Sequence, residues 1–362
     1  MVVKIFWFWM GIVLIPFPSF EIASARRDVL TAEQQVILQT TRDIHIQAIA
    51  LTENGLVDAD PIHRAVADQL QSMGFRISPT NTDPHSVTVK VKCEEKKQWS
   101  RPSRTGPDTT QPGTPSRTWT GPACLLTYFI NDQEASWEYE VRTAFDDAWT
   151  AAQKTSTKDS GQYALSHLQK ALRESDFPLI LTAEWKQSER LAPFLTSPST
   201  TTERKRLIIG LAPGLTGPTM LQALEASLSQ PDLAPEATLA LGYMGSKAIP
   251  VLMNLLRNNP SVAIRAAAAD ALGTLGAQTQ SGDSQIIPTL ISMLEIQDLD
   301  LKVQTEIVRT LGKVPNQQSV EPLKKISLKA WTSRSTDPQV QKLREAVDWS
   351  LWQINPGAHT ND

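Results

Sequence analysis

The sequence predicts an α+β N-terminal domain, an antiparallel meander with helices, followed by an all-α solenoid of stacked helical pairs. Two observations predict it. First, Leu241-Gly242, Leu272-Gly273 and Leu311-Gly312 recur at intervals of 31 and 39 residues, each followed by an apolar segment that opens near a proline. A fixed period of this length is the mark of a helical unit that cannot bury its apolar face alone and must stack on its neighbours. Second, Val87, Val89, Val91 and Cys93 alternate with Thr88, Lys90 and Lys92, and a matching alternation runs through Cys124, Leu126, Tyr128 and Ile130. A period of two with one apolar face is a half-buried strand.

Residues 1–25 stand apart from both units. Lys4 gives a short basic start, residues 5–17 are apolar, and Ala23, Ser24 and Ala25 are the small residues that precede a signal-peptidase cut. The expectation is a signal peptide over 1–25, a mature chain from Arg26 and a periplasmic or secreted protein. The rival is a retained anchor. A span needs about 20 apolar residues, and Pro16 and Pro18 break this run short of that. After cleavage no stable membrane span is expected. Losing Lys4 and Glu21 leaves the net charge of −3 unchanged. That balance, without a basic face interleaved with aromatics, argues against nucleic acid as a partner.

The N-terminal domain is expected over 26–190. Thr31 with Gln34 has the form of a capping box, opening a helix to about Thr40. Residues 43–51 read as a strand, with a continued helix as the alternative. Asp60 and Pro61 suit the start of the next helix, Ile62, Val66 and Leu70 make its apolar stripe, and Gly74 ends it. Pairing the two cysteine-bearing strands antiparallel with Cys93 opposite Cys124 puts every apolar residue on one face, which a slip of one residue would scramble. A third strand follows Asn131-Asp132 with Trp137, Tyr139 and Val141 facing one way, and helical stretches are expected near 146–152, 163–172 and 177–185.

Export makes Cys93 and Cys124, the only two cysteines, a candidate disulfide. On the chain-entropy argument such a closure stabilises by about 3 to 4 kcal/mol; the alternative is two buried thiols. Residues 98–122 between them are dominated by Pro, Ser, Thr and Gly, a composition that reads as a mobile loop. Trp99 and Trp119 sit near its two bases, with Arg101, Arg104 and Arg117 alongside. They either cover the end of the hairpin or form a recognition loop for a partner.

A linker is expected at 191–203, the solenoid at 204–354 and a flexible tail at 355–362. Each unit reads as a first helix, a tight glycine turn and a second helix with proline in its first turn, where the missing N–H has no intrahelical partner. Pro250, Pro288 and Pro322 fit this place. Ala266, Ala267, Ala268, Ala269 and Ala271 suit close backbone packing, with Leu272 and Leu275 as core residues. The last helix, from Pro338 to Ile354, is a degraded copy whose Lys342, Arg344, Glu345 and Asp348 suit a capping helix with one wet face. The run Ile264-Arg265 through Ala268-Ala269, Ala271-Leu272-Gly273 and Leu275-Gly276, with Ile287-Pro288 after it, resembles HEAT-like repeats of the type first noted in phycobilisome lyases. The resemblance implies a curved α-solenoid that scaffolds or binds other proteins. It does not extend to the N-terminal domain.

Chemistry finds little support. Deoxyhypusine hydroxylases share this repeat type but hold iron through His-Glu pairs; here His45, His63, His85, His167 and His359 all lie outside the repeats and none precedes Glu. Bilin lyases act in the cytoplasm, which a signal peptide contradicts. There is no H-E-x-x-H, G-x-S-x-G, phosphate-binding loop or dinucleotide fingerprint. His45 and His63 as metal ligands are set against surface or satisfied histidines, and Asp58 with Asp60, like Asp146 with Asp147, against helix caps. The expectation is a non-enzymatic periplasmic interaction protein without cofactor or metal, its solenoid holding another envelope protein. The alternatives are a small-molecule or glycan binder using the tryptophan–arginine loop, and an unrecognised hydrolase.

Overall fold

A computed structural model describes residues 30–79, 87–102, 116–278 and 285–356. The expected leader and its cut, His85, Arg104, residues 279–284 and tail residues 357–362 with His359 lie outside the described residues.

The N-terminal part runs α1 (Ala32–Thr40), β1 (Asp43–Thr52), β2 (Gly55–Val57), α2 (Asp60–Ser72), β3 (Arg76–Ser78), β4 (Val87–Pro102), β5 (Ser116–Ile130), β6 (Gln133–Arg142), α3 (Ala148–Lys154) and α4 (Ser160–Glu174). The capping box at Thr31 forms: its hydroxyl accepts from Gln34 N, and the Gln34 side chain accepts from Thr31 N. Asp60, expected to cap α2, is instead its first residue. Ala59 fills the cap position without a side-chain bond, and Asp58 Oδ1 accepts from Asp60 N at 3.0 Å.

Strand order is β2-β1-β4-β5-β6, with β3 beside β1. The meander β4-β5-β6 is antiparallel, and β1 joins β4 in parallel, so the sheet is mixed. The reason lies in α2. It follows β1 and packs back over it, so β4 re-enters in the same direction. Val87 pairs with Ile130, Val89 with Tyr128, Val91 with Leu126 and Cys93 with Cys124, as the alternation requires. All eight are buried, and Cys93 and Cys124 form a disulfide. Asn131 (φ 48°) and Asp132 (φ 64°) make the left-handed two-residue turn into β6. The apolar stripes of α2 and α4 cover the sheet's buried face.

The C-terminal part is a run of paired helices: α5 (Phe177–Glu184) with α6 (Ser188–Thr196), α7 (Thr202–Leu211) with α8 (Pro218–Ser227), α9 (Ala234–Leu241) with α10 (Ile249–Asn258), α11 (Val262–Gln278) with α12 (Ile286–Leu294), and α13 (Leu301–Lys313) with α14 (Val320–Thr332). The single helix α15 (Pro338–Ile354) closes it. The stretch 191–203, expected as a linker, holds most of α6 and the start of α7, with Leu191, Ala192 and Leu195 buried. The array begins at α5, ahead of where the period becomes visible in the sequence.

First helices stack on first helices: α9 on α11, α11 on α13, α13 on α15. Glycine makes this possible. A Cβ on Gly242 would lie 2.7 Å from Ala271 O, one on Gly273 would lie 3.0 Å from Thr310 Oγ1, and one on Gly312 would lie 2.6 Å from Ser350 Oγ. The expected tight glycine turn is therefore a correction. Gly273, Gly276 and Gly312 lie inside α11 and α13; among the described residues the positive-φ glycines of the array are Gly217, just before α8, and Gly245, between α9 and α10. Hydroxyls fasten the same seam: Thr310 Oγ1 donates to Ala269 O at 2.7 Å, and Ser350 Oγ to Val308 O at 2.8 Å. Pro250, Pro288 and Pro322 stand in the first turns of α10, α12 and α14.

Candidate interaction surfaces

The disulfide is not at the end of its hairpin. Beyond it β4 and β5 go on pairing, Lys97 with Gly121, Trp99 with Trp119, Arg101 with Arg117 and Pro102 with Ser116. The loop expected over 98–122 is thus a two-stranded arm on both sides of 103–115. Composition misleads here because a ribbon with no core beneath it needs no apolar face, only backbone pairing and cross-strand contacts. The period of two puts positions 99, 101, 117 and 119 in one row. The backbone register sets position 99 opposite 119, both tryptophan, and 101 opposite 117, both arginine.

The root of the arm buries a carboxyl group. The register shifts between Glu94 and Lys97, and this bulge leaves Glu95 only 2% exposed. Glu95 Oε2 accepts from Glu53 N at 2.9 Å and Oε1 from Ser160 Oγ at 2.7 Å, tying the β1–β2 turn to the first turn of α4. Sequence reasoning missed Glu95. The signal was the acid pair Glu94-Glu95 where the alternation fails. Burial pushes the Lys97 ammonium below its ordinary value, opposed by Glu94 and Glu140.

Two cavities lie where the sheet unit meets the array. One, about 390 Å³, opens between α1, β5–β6 and the end of α5, with Tyr128, Trp137, Trp185, Gln35 and Glu184 on its walls. Tyr128 lies 5.7 Å from Trp137 and 5.6 Å from Trp185, centroid to centroid. Trp185 Nε1 is buried without a hydrogen-bond partner. The other, about 450 Å³, lies among α2, α5, α6 and α7, and Arg204 Nε bonds Asp176 Oδ1 at 2.8 Å on its wall.

His45 lies on β1, His63 in α2, and His167 in α4 with Nδ1 2.9 Å from Tyr163 O. Among the described residues no group of three or more His, Cys, Asp or Glu is placed to hold a metal. Asp147 caps α3, accepting from Trp149 N at 3.1 Å and from the Thr150 hydroxyl, which holds its carboxyl below the ordinary value. No helix among the described residues is long and apolar enough to cross a membrane.

Paired helices stacked row on row, with small residues between the first helices, define a repeat α-solenoid. HEAT repeats match residues 217–281, from the start of α8 to the end of α11. The array is built of HEAT-like repeats, joined to a mixed-sheet unit that this match does not reach. No curated protein matches the chain.

Proposed function

We propose that this chain is an exported, non-enzymatic scaffold that holds another protein of the cell envelope on its HEAT-like array. The observation that carries the reading is how the repeat residues are used. Gly242, Gly273 and Gly312 meet the next helix, and Thr310 and Ser350 bond the previous one, so the repeated pattern serves stacking alone. What remains is an extended surface of varied side chains, the form suited to a protein partner. The test is isolation from the cell envelope at gentle salt, with mass spectrometry of co-eluting proteins. A stoichiometric partner supports the reading, and recovery of the chain alone overturns it. Export rests on residues 1–25 and has its own test. N-terminal sequencing of the isolated protein is expected to start at Arg26; a chain that keeps residues 1–25 refutes cleavage.

A second reading is favoured by one observation, the register that sets Trp99 opposite Trp119 beside Arg101 and Arg117 on the arm. Two aromatic and two cationic positions in one row suit an anionic glycan or similar small molecule. A glycan array decides it: signal that vanishes in Trp99→Ala and Trp119→Ala supports this reading, and a blank array refutes it.

A further inference from the structure

The cavity between α1, β5–β6 and the end of α5 has walls of two kinds. Leu30 and Leu38, with Tyr128, Trp137 and Trp185, make an apolar body. Glu184 and Lys186, the residues on either side of Trp185 in sequence, add one acid and one cation. Its volume of about 390 Å³ suits a small molecule, and sites of that kind join apolar walls to a few placed polar groups.

Two donors on this wall lack an acceptor in the protein. Trp185 is 1% exposed, and its Nε1 has no hydrogen-bond partner among the described residues. Phe75 and Tyr128 pack edge-on against its ring, which fixes the indole without giving the N–H an oxygen. A buried tryptophan usually finds an acceptor for that group, because an unmade bond forfeits the one it had with water. Lys186 follows at once, and its ammonium makes no ion pair among the described residues. Its backbone is costly as well. α5 closes with Gln187 N donating to Thr182 O and Lys186 N to Ala183 O, a closure whose left-handed position is usually glycine. Lys186 takes that position with φ 55°, so a long cationic side chain stands where a residue with none would fold more easily.

We propose that this cavity binds a small molecule made of an aromatic ring and one carboxylate. The ring sits against Tyr128, Trp137 and Trp185, and the carboxylate accepts from the indole N–H and pairs with the Lys186 ammonium. A carboxylate has two oxygens and only accepts, so one group answers both donors. Glu184 sets the limit on charge, because a second carboxylate would face an acid on the same wall. The walls come from α1 and the sheet on one side and from α5 on the other, so an occupant ties the sheet unit to the array. The site is separate from the arm and from the stacking seam, and it stands or falls apart from any protein partner.

The test is heteronuclear NMR of the labelled full chain, in which each tryptophan gives one indole N–H signal. The chain is titrated with benzoate and naphthoate, and with benzamide and phthalate for comparison. The signal that disappears in Trp185→Phe is expected to move saturably with either monocarboxylate. Uncharged benzamide and doubly charged phthalate are each expected to bind about tenfold more weakly than benzoate. Lys186→Gly is expected to weaken benzoate about tenfold while the melting temperature stays close to wild type, since glycine suits φ 55°. Trp185→Phe removes packing as well as the N–H, so calorimetry on Lys186→Gly, which keeps the core intact, gives the affinity change independently. No saturable movement of the Trp185 signal up to about 10 mM ligand overturns the proposal. Benzoate binding unchanged in Lys186→Gly overturns it too, as does benzamide or phthalate binding as tightly as benzoate.

Discussion

Gly312 and Gly210 both sit in solenoid helices, yet one methyl group acts oppositely at the two places. At Gly312 a Cβ would lie 2.5 Å from the Trp349 ring and 2.9 Å from Ser350 Cα, and backbone cannot step aside cheaply. Overpacking of this kind costs about 1–3 kcal/mol, against about 1 kcal/mol gained in helix propensity. Gly312→Ala is therefore expected to lower stability in urea melts. A Cβ on exposed Gly210 meets nothing within 4 Å, so Gly210→Ala should raise stability by about 0.5–1 kcal/mol. Equal effects at the two sites would refute the close-approach account. Lys97 gives a prediction with a pH sign. Its folded value lies below 10.5 because burial penalises the ammonium. The unfolded chain holds that proton more tightly, so the penalty is complete well below the folded value and disappears as pH rises past 10.5. Lys97→Met should melt above wild type near neutral pH, with the gap closing toward pH 10.5. A gap that widens would contradict burial as the cause. The leucine–glycine repeat made these glycines easy to find and easy to misread. Spacing shows that a glycine recurs, and only the neighbouring helix shows whether it turns the chain or lets another backbone approach.

Among the elements, the hairpin shows where sequence reading succeeds and where it stops. From Val87 to Cys93 each apolar residue has a matching one on β5, and a half-buried strand leaves only one register free of conflict. Beyond the cysteines no apolar face exists, so periodicity is silent although the pairing continues to Pro102 and Ser116. For the same reason α6 was hidden: nine residues with a proline inside show no repeat signature, and only their burial against α8 reveals them. The disulfide spans 31 positions of sequence, so its loss frees a chain segment long enough to cost about 3–4 kcal/mol in the entropic account. Both cysteines are fully buried, so Cys93→Ala with Cys124→Ala is the fair comparison, since serine would bury hydroxyls. The double variant is expected to unfold at lower urea, and reduction of the wild type should reproduce most of that shift. Alkylation of the unreduced, denatured protein should add no mass. Two added labels would mean free thiols.

For the whole molecule, the question is whether the sheet unit and the array are separate bodies joined by a tether or one body with a shared repeat. The contacts favour a shared repeat. Gln187, just before α6, donates to Leu38 O and Thr41 O at 2.6 and 3.0 Å, and Arg190 within α6 donates to Met73 O at 3.1 Å while lying 4.2 Å over the Phe75 ring. Phe75 and Tyr128 both pack edge-on against Trp185, and the buried core runs unbroken from Leu38 through Leu191 to Ile354. The helix pair α5–α6 is thus gripped on one side by the sheet unit and on the other by α7–α8. In a solenoid each repeat supports only its neighbours, so a lesion in this pair should loosen both flanks. Leu191→Ala, at a fully buried site, should cost about 2–5 kcal/mol. Its increase in amide hydrogen exchange should appear in α1 and β5 as well as in α8. Leu290→Ala, equally buried in α12, should leave the sheet unchanged and speed exchange only in the neighbouring repeats. Exchange that rises on the α8 side alone in Leu191→Ala would mean that the two units fold independently. In that case fragments divided within 197–201 should each melt cooperatively, whereas a shared repeat leaves both with exposed apolar surface and a lowered melting point.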